Sequence, residues 1–546
     1  MDVQKKKSNN FLVQGTILAA ASIIVRMIGL IYRIPLTRII GDEGNGYYST
    51  AFELYNIALI LSSYSLPLAV SKLVAARNIK KEYNNSFRIF LGSMAFAIVS
   101  GTIMSLVVFF GADIFASVIS KSPRSAIPLK VLAPGILIFA VMGVLRGYFQ
   151  GKNTMLPTSI SQILEQIVNA FVSVIAASVF MRAHNLSDDM AAYGAAGGTL
   201  GTFVGAFVGL VFVGSVFALY FPTLQKQRKR DTTSELESYR EIIKILILTI
   251  IPVIVSSTIY QASGILDNMM FGNIMSGKGV SETIRSEFLG VYSGKYRTLT
   301  NVPVSIATAV GAAMVPSIVV ARVKKQHQEV NEKIHSAVKF NMLIAIPSAV
   351  GMGVLASPIL QLLFRDSSKL AANLIRLGSI AIIFFALSTV SNAVLQGINL
   401  MRKPVIHSAI SLGIHIVLVF ILLQFTNLIT YALVIGNVTF PLVVCVLNWI
   451  SIEQHIGYKQ EIKNTFVMPL IASLIMGVCT WITYEIFIHI IHSNSISTLF
   501  AVIVAMICYF CSMILLKGIT KEELYSFPKG ALLVRAANKL HLFREA

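Results

Sequence analysis

The sequence predicts an all-α polytopic membrane protein of about fourteen transmembrane helices, arranged as two six-helix lobes in parallel repeat plus two C-terminal helices. Three observations carry that prediction. Of 546 residues, 55% are hydrophobic and only 13% charged, with a mean hydropathy of +0.74. Apolar runs of about 20 residues recur from Phe11 to Leu516, each long enough to cross roughly 30 Å of hydrocarbon as a helix. The two halves of the chain share sequence patches at a nearly constant offset. A soluble chain of this length would expose far more charge. The period-2 alternation of an outer-membrane barrel is absent.

The expected spans lie at 11–36, 48–76, 89–112, 127–145, 155–180, 190–220, 241–275, 289–321, 334–364, 370–400, 404–424, 428–452, 465–488 and 496–516. The first follows Lys5-Lys6-Lys7. It runs too long for a signal h-region and lacks an A-x-A cleavage site, so it reads as an uncleaved span. With the N-terminus inside, every inside connection is basic. Arg77, Lys80, Lys81 and Arg88 follow span 2, and Arg146 and Lys152 follow span 4. Lys226, Arg228, Lys229, Arg230 and Arg240 follow span 6; Arg322, Lys324, Lys325 and Lys333 follow span 8. Arg402 and Lys403 follow span 10, Lys459 and Lys463 follow span 12, and the tail carries Lys517, Lys521, Lys529, Arg535, Lys539 and Arg544. The outside loops hold only Lys121, Arg124, Arg182, Lys278, Arg285, Arg365 and Lys369. A four-to-one bias of this kind places both termini in the cytoplasm. It also reads the net charge of +20 as loop charge rather than as a footprint for nucleic acid.

The four cysteines, Cys445, Cys479, Cys508 and Cys511, all fall inside apolar runs. Cys508 and Cys511 are spaced C-x-x-C but have neither a partner pair nor a nearby His, so they read as packed or lipid-facing thiols.

The repeat is visible in three places. VSKLVAAR (Val70–Arg77) matches VPSIVVAR (Val315–Arg322) at an offset of 245. Gln150, Gly151 and Asn153 match Gln396, Gly397 and Asn399 at 246, and Tyr48-Ser49 matches Tyr292-Ser293 at 244. Six spans precede the basic stretch near Gln225–Arg240, so the repeat is parallel. The domains that follow are a lobe at 1–224, a basic cytoplasmic linker at 225–240, a second lobe at 241–453, spans 13 and 14 at 454–516, and a cytoplasmic tail at 517–546. The small-residue stretch GAAGGTLGTFVGAFVG (Gly194–Gly209) lacks the strand and lysine of a phosphate loop and suits close helix packing.

RMIGLIYRIPLTRIIGDEGNGYYSTAF, LPLAVSKLVAAR and RGYFQGKNTMLPTSISQILEQIV, the last containing Arg146 and Pro157, resemble the polysaccharide-transporter branch of the multidrug/oligosaccharidyl-lipid/polysaccharide (MOP) exporter superfamily. Within it they are most similar to stage V sporulation protein B and MurJ-type lipid II flippases of Gram-positive bacteria. The resemblance implies a MATE-like fold and a flippase for undecaprenyl-diphosphate-linked saccharides in a bacterial plasma membrane. It further implies that spans 13 and 14 form a groove for the lipid tail and that cell-wall synthesis machinery is a partner. By the same resemblance, cavity arginines in spans 1 and 8 bind substrate. The span-1 pattern R-x-x-G falls on Arg26 and Gly29, with the second arginine one residue later than in the family, at Arg33. The span-8 arginine corresponds to Arg297, with Lys295 as a rival, and the family's span-2 arginine has no counterpart in Ile57–Val70.

The residues say something similar on their own. A charge at mid-bilayer costs at least about 2.5–3.5 kcal/mol and marks a functional site by default. Arg26 lies too deep for easy snorkelling, and seven helical steps bring Arg33 within about 20° of its direction. Guanidinium binds a diphosphate bidentately and never loses its proton. Glu53 and Asp267 are the acids to weigh beside them, either in the same cavity or as partners in ion pairs that only tie helices together. No catalytic constellation and no nucleotide motif is present, so the chain reads as a transporter rather than an enzyme. It needs no cofactor, and its energy comes from the membrane potential or a counter-ion. A cation-coupled drug antiporter would need acids to dominate the deep charges, which here are mostly basic.

Overall fold

The structure, a computed structural model, describes residues 2–233, 235–323, 326–526 and 530–539. The basic residues Lys324, Lys325, Lys529 and Arg544 lie outside the described residues. Among the described residues there is no strand, and eleven helical segments, from Ala20–Ile79 to Asn494–Leu515, are long and apolar enough to cross a membrane. The expected spans 1 and 2 fall together in Ala20–Ile79. The expected spans 7 and 8 coincide with helices α8 and α10 below, which are not among the eleven. The chain forms two compact units, Met1–Gly294 and Lys295–Ala546, so the division falls beyond the 225–240 segment.

The first unit contains α1 (Asp2–Ser62), α2 (Leu66–Ile79), α3 (Tyr83–Ile114), α4 (Ala126–Leu132), α5 (Gly135–Gly151), α6 (Leu156–Ala183), α7 (Met190–Lys229), α8 (Tyr239–Gly277) and α9 (Glu282–Gly290). α1 breaks at Gly41, whose φ of 68° and ψ of −175° lie outside helical space and suit a residue without a β-carbon. The break frees backbone carbonyls, and Asn45 covers them. Its Nδ2 donates to Gly41 O at 2.6 Å and to Thr37 O at 3.4 Å. The fully buried Asn45 is therefore a structural cap.

The RGYFQG motif of α5 is a packing seam. A β-carbon at Gly147 would lie 2.7 Å from Pro67 O, and one at Gly151 would lie 2.8 Å from Ser71 O. Only glycine lets α5 approach α2 this closely. Pro157 sits buried in the first turn of α6, where its missing N–H costs nothing. The 225–240 stretch is helical through Lys229 and again from Tyr239. Between these ends its acidic residues fasten it. Glu237 pairs with Arg77 at 2.8 Å, and its carbonyl accepts from Arg88 Nε at 2.8 Å.

Lys152, in the turn between α5 and α6, donates to Gln227 Oε1 at 2.8 Å, with the rings of Tyr83, Tyr148 and Tyr220 centred 5.3–5.6 Å from its Nζ. Burial pushes this amine down from 10.5 to about 8. Between those values the unfolded chain holds a proton that the folded chain has released, so stability rises with pH across that window. The melting temperature of the purified protein is expected to climb from pH 8 to pH 10. Lys152→Met should flatten the climb, and an identical slope in that variant would contradict the assignment.

The second unit contains α10 (Thr298–Val323), α11 (His327–Val354), α12 (Ala356–Phe364), α13 (Lys369–Gly378), α14 (Ala381–Gly397), α15 (Arg402–Phe425), α16 (Thr430–Ile456), α17 (Met468–Ile491), α18 (Asn494–Leu515), α19 (Lys521–Ser526) and α20 (Gly530–Lys539). The sequence repeat has a local structural echo here. α5 and α14 are both 17 residues long and end at Gly151 and Gly397, 246 apart. Asn153 and Asn399 follow in the left-handed region, at φ 59° and 65°. Asparagine tolerates that conformation better than most residues, and it stops each helix at the same point. Gln150 is half-buried and Gln396 exposed, so neither points to a shared polar site. Within the tail, Glu523 of α19 pairs with the buried Lys339 of α11 at 2.6 Å, and Leu524 and Val534 are buried in an apolar cluster with Ala472 and Met513.

Candidate functional site

The two arginines of α1 point along one side of the helix but meet different fates. Arg33 is half-buried, and its guanidinium lies 4.1 Å from the centroid of the Tyr48 ring. Tyr48 in turn stacks on Phe52 at 5.7 Å and 8°. A cation over an aromatic face is worth about 0.5–2 kcal/mol, so Arg33 is held across the Gly41 break. Arg26 is exposed and makes no ion pair or hydrogen bond among the described residues. It is therefore not the ion-pair partner of Glu53. Glu53, half-buried, and Asp267, 3% exposed, both have partners of their own.

Beside this face the first unit encloses a cavity of about 430 Å³. Its walls come from α1, α2, α5, α6 and α7. One wall carries an ion pair. Arg146 Nη2 donates to Glu165 Oε2 at 2.8 Å, and Arg146 Nε donates to Ser161 Oγ at 2.9 Å. Removing one member would leave the other charge uncompensated in a low-dielectric site, at about 3–5 kcal/mol. Another wall carries Asn169, whose Nδ2 donates to Tyr32 OH at 3.3 Å and whose Oδ1 accepts from Ser173 Oγ at 2.9 Å. Gly29 completes the link to α1, because a β-carbon there would lie 3.1 Å from Gln166 Nε2 on the cavity wall.

The sequence singled out Arg146 as a motif residue, and the structure places it in this cavity. The amides Asn56, Gln166 and Asn169 and the tyrosines of the wall were not singled out, apart from Tyr48 as a member of the repeat. Their signal is available in hindsight: amides inside apolar spans, where each unsatisfied polar group is costly.

In the second unit, Lys295 is 6% exposed and donates to Asp366 Oδ2 at 2.7 Å. Burial alone would raise the Asp366 carboxyl. The Lys295 hydrogen bond and two more from Ser368 overcome that and hold it below the usual range. Lys295 thus has a structural employment that the half-buried Arg297 nearby does not share, although Arg297 also has partners. One histidine of this unit joins a polar network. His407 Nδ1 lies 2.7 Å from Asn448 Oδ1, and Asn448 Nδ2 donates to Asn392 Oδ1 at 2.8 Å and to Ser391 Oγ at 2.9 Å.

A family model described as Polysaccharide biosynthesis protein matches residues 12–321, more than half of the chain. The chain belongs to the polysaccharide biosynthesis protein family. A second model, MatE, matches residues 252–421. This family member is 26% identical over 487 residues to the lipid II flippase MurJ of Bacillus subtilis, covering 86% of this chain and 87% of that one. It is also 26% identical over 529 residues to stage V sporulation protein B of Bacillus subtilis, covering 96% and 99%. Its fold is similar to that of lipid II flippase MurJ in an inward closed conformation, with a TM-score of 0.64, 15% identity, and coverage of 91% of this chain and 97% of that one. It is similar too to an inward-facing MATE family transporter of the MOP superfamily, with a TM-score of 0.63, 15% identity, and coverage of 80% and 98%. The protein is thus a multi-span member of the polysaccharide biosynthesis protein family.

Proposed function

We propose that this polysaccharide biosynthesis protein is a flippase. It moves an undecaprenyl-diphosphate-linked saccharide, lipid II before other cell-wall or capsule precursors, from the inner to the outer leaflet by alternating access. The observation that carries this reading is Arg26: a permanently charged guanidinium about fifteen residues into an apolar span, exposed and without a partner among the described residues. A cation kept at that depth and left unpaired has a use for its charge, and a diphosphate supplies the complementary anion. Arg33, seven residues further along the same helix, adds positive charge for the headgroup. Residues 1–224 and 241–453 are the two lobes, and both termini are cytoplasmic. The apolar faces of α17 and α18, with Leu474, Val478, Trp481 and Met506 exposed, offer the polyprenyl tail its groove. The relatives that are lipid II and sporulation proteins support the cargo class. An inside-negative potential assists outward movement of a dianion, since each charge is worth roughly 2.3 kcal/mol per 100 mV.

The test is rescue of bacteria depleted of their own lipid II flippase, at matched membrane levels. The wild-type chain is expected to restore lipid II to the outer leaflet, and Arg26→Ala to lower that activity at least tenfold. A wild-type chain that inserts properly but fails to rescue points to another lipid-linked saccharide. Drug resistance without rescue would favour a multidrug antiporter.

A further inference from the structure

We propose that the cavity of the first unit is a saccharide-binding pocket that receives the first sugar ring beyond the diphosphate, as a neutral N-acetylhexosamine-sized unit. This rests on the flippase reading and deepens it.

Three features of the cavity point to a neutral, hydroxyl-rich ligand. First, its charge is balanced: Arg146 and Glu165 satisfy each other at 2.8 Å, so the wall offers no net charge to an ionic ligand. Second, it presents hydrogen-bonding groups that the protein leaves unused. Tyr55 lines the cavity, its side chain is 1% exposed, and its hydroxyl has no hydrogen-bond partner among the described residues. The amides of Asn56 and Gln166 also line the cavity without a hydrogen bond among the described residues. Buried polar groups are normally satisfied; Tyr55 is buried and the two amides are half-buried, open to the cavity, where a ligand would complete the set. A drug or an acyl chain would leave them unmet. Third, Tyr48 and Phe52 lie stacked and nearly parallel on the wall. Tyr48 already carries Arg33 over its ring and is 4% exposed, so it is the half-buried Phe52 that offers ring surface to the C–H face of a pyranose.

Size and position agree. A volume of about 430 Å³ lies within the ordinary range of roughly 300–1,000 Å³ for a small-molecule site. Gly29 abuts Gln166 on the wall, and Arg26 is three residues from Gly29, about 4.5 Å along the helix axis. A diphosphate held at Arg26 therefore sits one linkage from the cavity.

The experiment measures binding of two soluble-tailed probes to the full-length protein in nanodiscs. One probe is farnesyl diphosphate; the other is the same molecule carrying N-acetylglucosamine on its terminal phosphate. Wild type is expected to bind the sugar-bearing probe at least tenfold more tightly. An Asn56→Leu/Gln166→Leu double variant should bring that probe down to the affinity of the bare diphosphate. Tyr55→Phe, which removes one oxygen atom, should cost part of the same increment. Arg26→Ala should weaken both probes by a similar factor. Equal binding of the two probes by wild type overturns the sugar pocket while leaving the flippase reading in place. So does a double variant, or Tyr55→Phe in its place should the double variant not fold, that keeps the full increment. Binding of neither probe by wild type overturns the flippase reading and the pocket with it.

Discussion

Gly201→Val is expected to remove the protein from the membrane, with Gly197→Val close behind. A β-carbon at Gly201 would lie 2.6 Å from both Asn169 O and Ser173 N, and one at Gly197 would lie 2.5 Å from Ala176 C and Ala177 N. All of these are backbone atoms of α6, which cannot rotate out of the way. At Gly205, one turn further on, the clash would be with Glu165 O at 2.5 Å. The three glycines recur every four residues and form the line along which α7 rests on α6, with Ser173 Oγ donating to Gly198 O at 2.7 Å across the seam. Ordinary contact begins near 3.4 Å, so the helices would have to separate by about an ångström. Overpacking of this kind costs about 1–3 kcal/mol or more per site. The cost would also fall on the site, because Asn169 and Glu165 of the cavity wall stand at this seam. Fluorescence-detected size-exclusion of a tagged protein is the measurement. The monodisperse peak should fall by most of its height for Gly201→Val. Gly214→Ala, where a β-carbon would meet nothing within 4 Å, should leave it unchanged. A Gly201→Val protein with wild-type yield and melting temperature would show that the seam tolerates separation.

That seam is legible in the sequence, because small residues every four positions in an apolar run have few other uses. The repeat is legible too, and it reappears as matched helix lengths and matched left-handed asparagines at 153 and 399. What escapes the sequence has one physical cause: contacts between residues far apart in the chain. Helical arithmetic puts Arg26 and Arg33 on one side, yet it cannot show that Tyr48 folds back over Arg33 alone. The cause is Gly41, which looks in sequence like any glycine and acts here as the break in a 61-residue helix. Lys295 reads as a companion of Arg297, and its true partner, Asp366, lies 71 residues away in a loop. The cavity is the largest omission. Its tyrosines and amides are neutral residues spread over α1, the turn after it and α6, more than a hundred residues on, and neutral side chains carry no charge to mark them.

Gly290→Leu is expected to hold open a seam that must close once in every transport cycle under the alternating-access reading. At one end of the first unit, α9 lies against α1. A β-carbon at Gly290 would fall 2.6 Å from the Asp42 carbonyl carbon and 3.0 Å from Gly46 N, and Ser286 Oγ donates to Glu43 O at 3.0 Å. Arg124 braces the same end, its backbone N–H donating to Glu282 Oε1 at 2.9 Å and its side chain pairing with Asp189 at 2.8 Å. These contacts are polar and confined to one stretch of α1, a nine-residue helix and short loops, so they can part without unfolding the bundle. A leucine at Gly290 penalises only the closed arrangement. At about 1–3 kcal/mol that penalty shifts the equilibrium between closed and open states by roughly 5–150-fold. Ser49, 8% exposed and one turn beyond Gly46, reports the state of the seam. In a background lacking the four native cysteines, Ser49→Cys should react slowly with a water-soluble maleimide. With Gly290→Leu added it should react at least tenfold faster. Flippase activity should fall by a similar factor at unchanged protein level, because a transporter that cannot close one side completes no cycle. Unchanged labelling together with normal transport would mean that this end of α1 is a fixed strut, and that the moving parts of the cycle lie elsewhere in the chain.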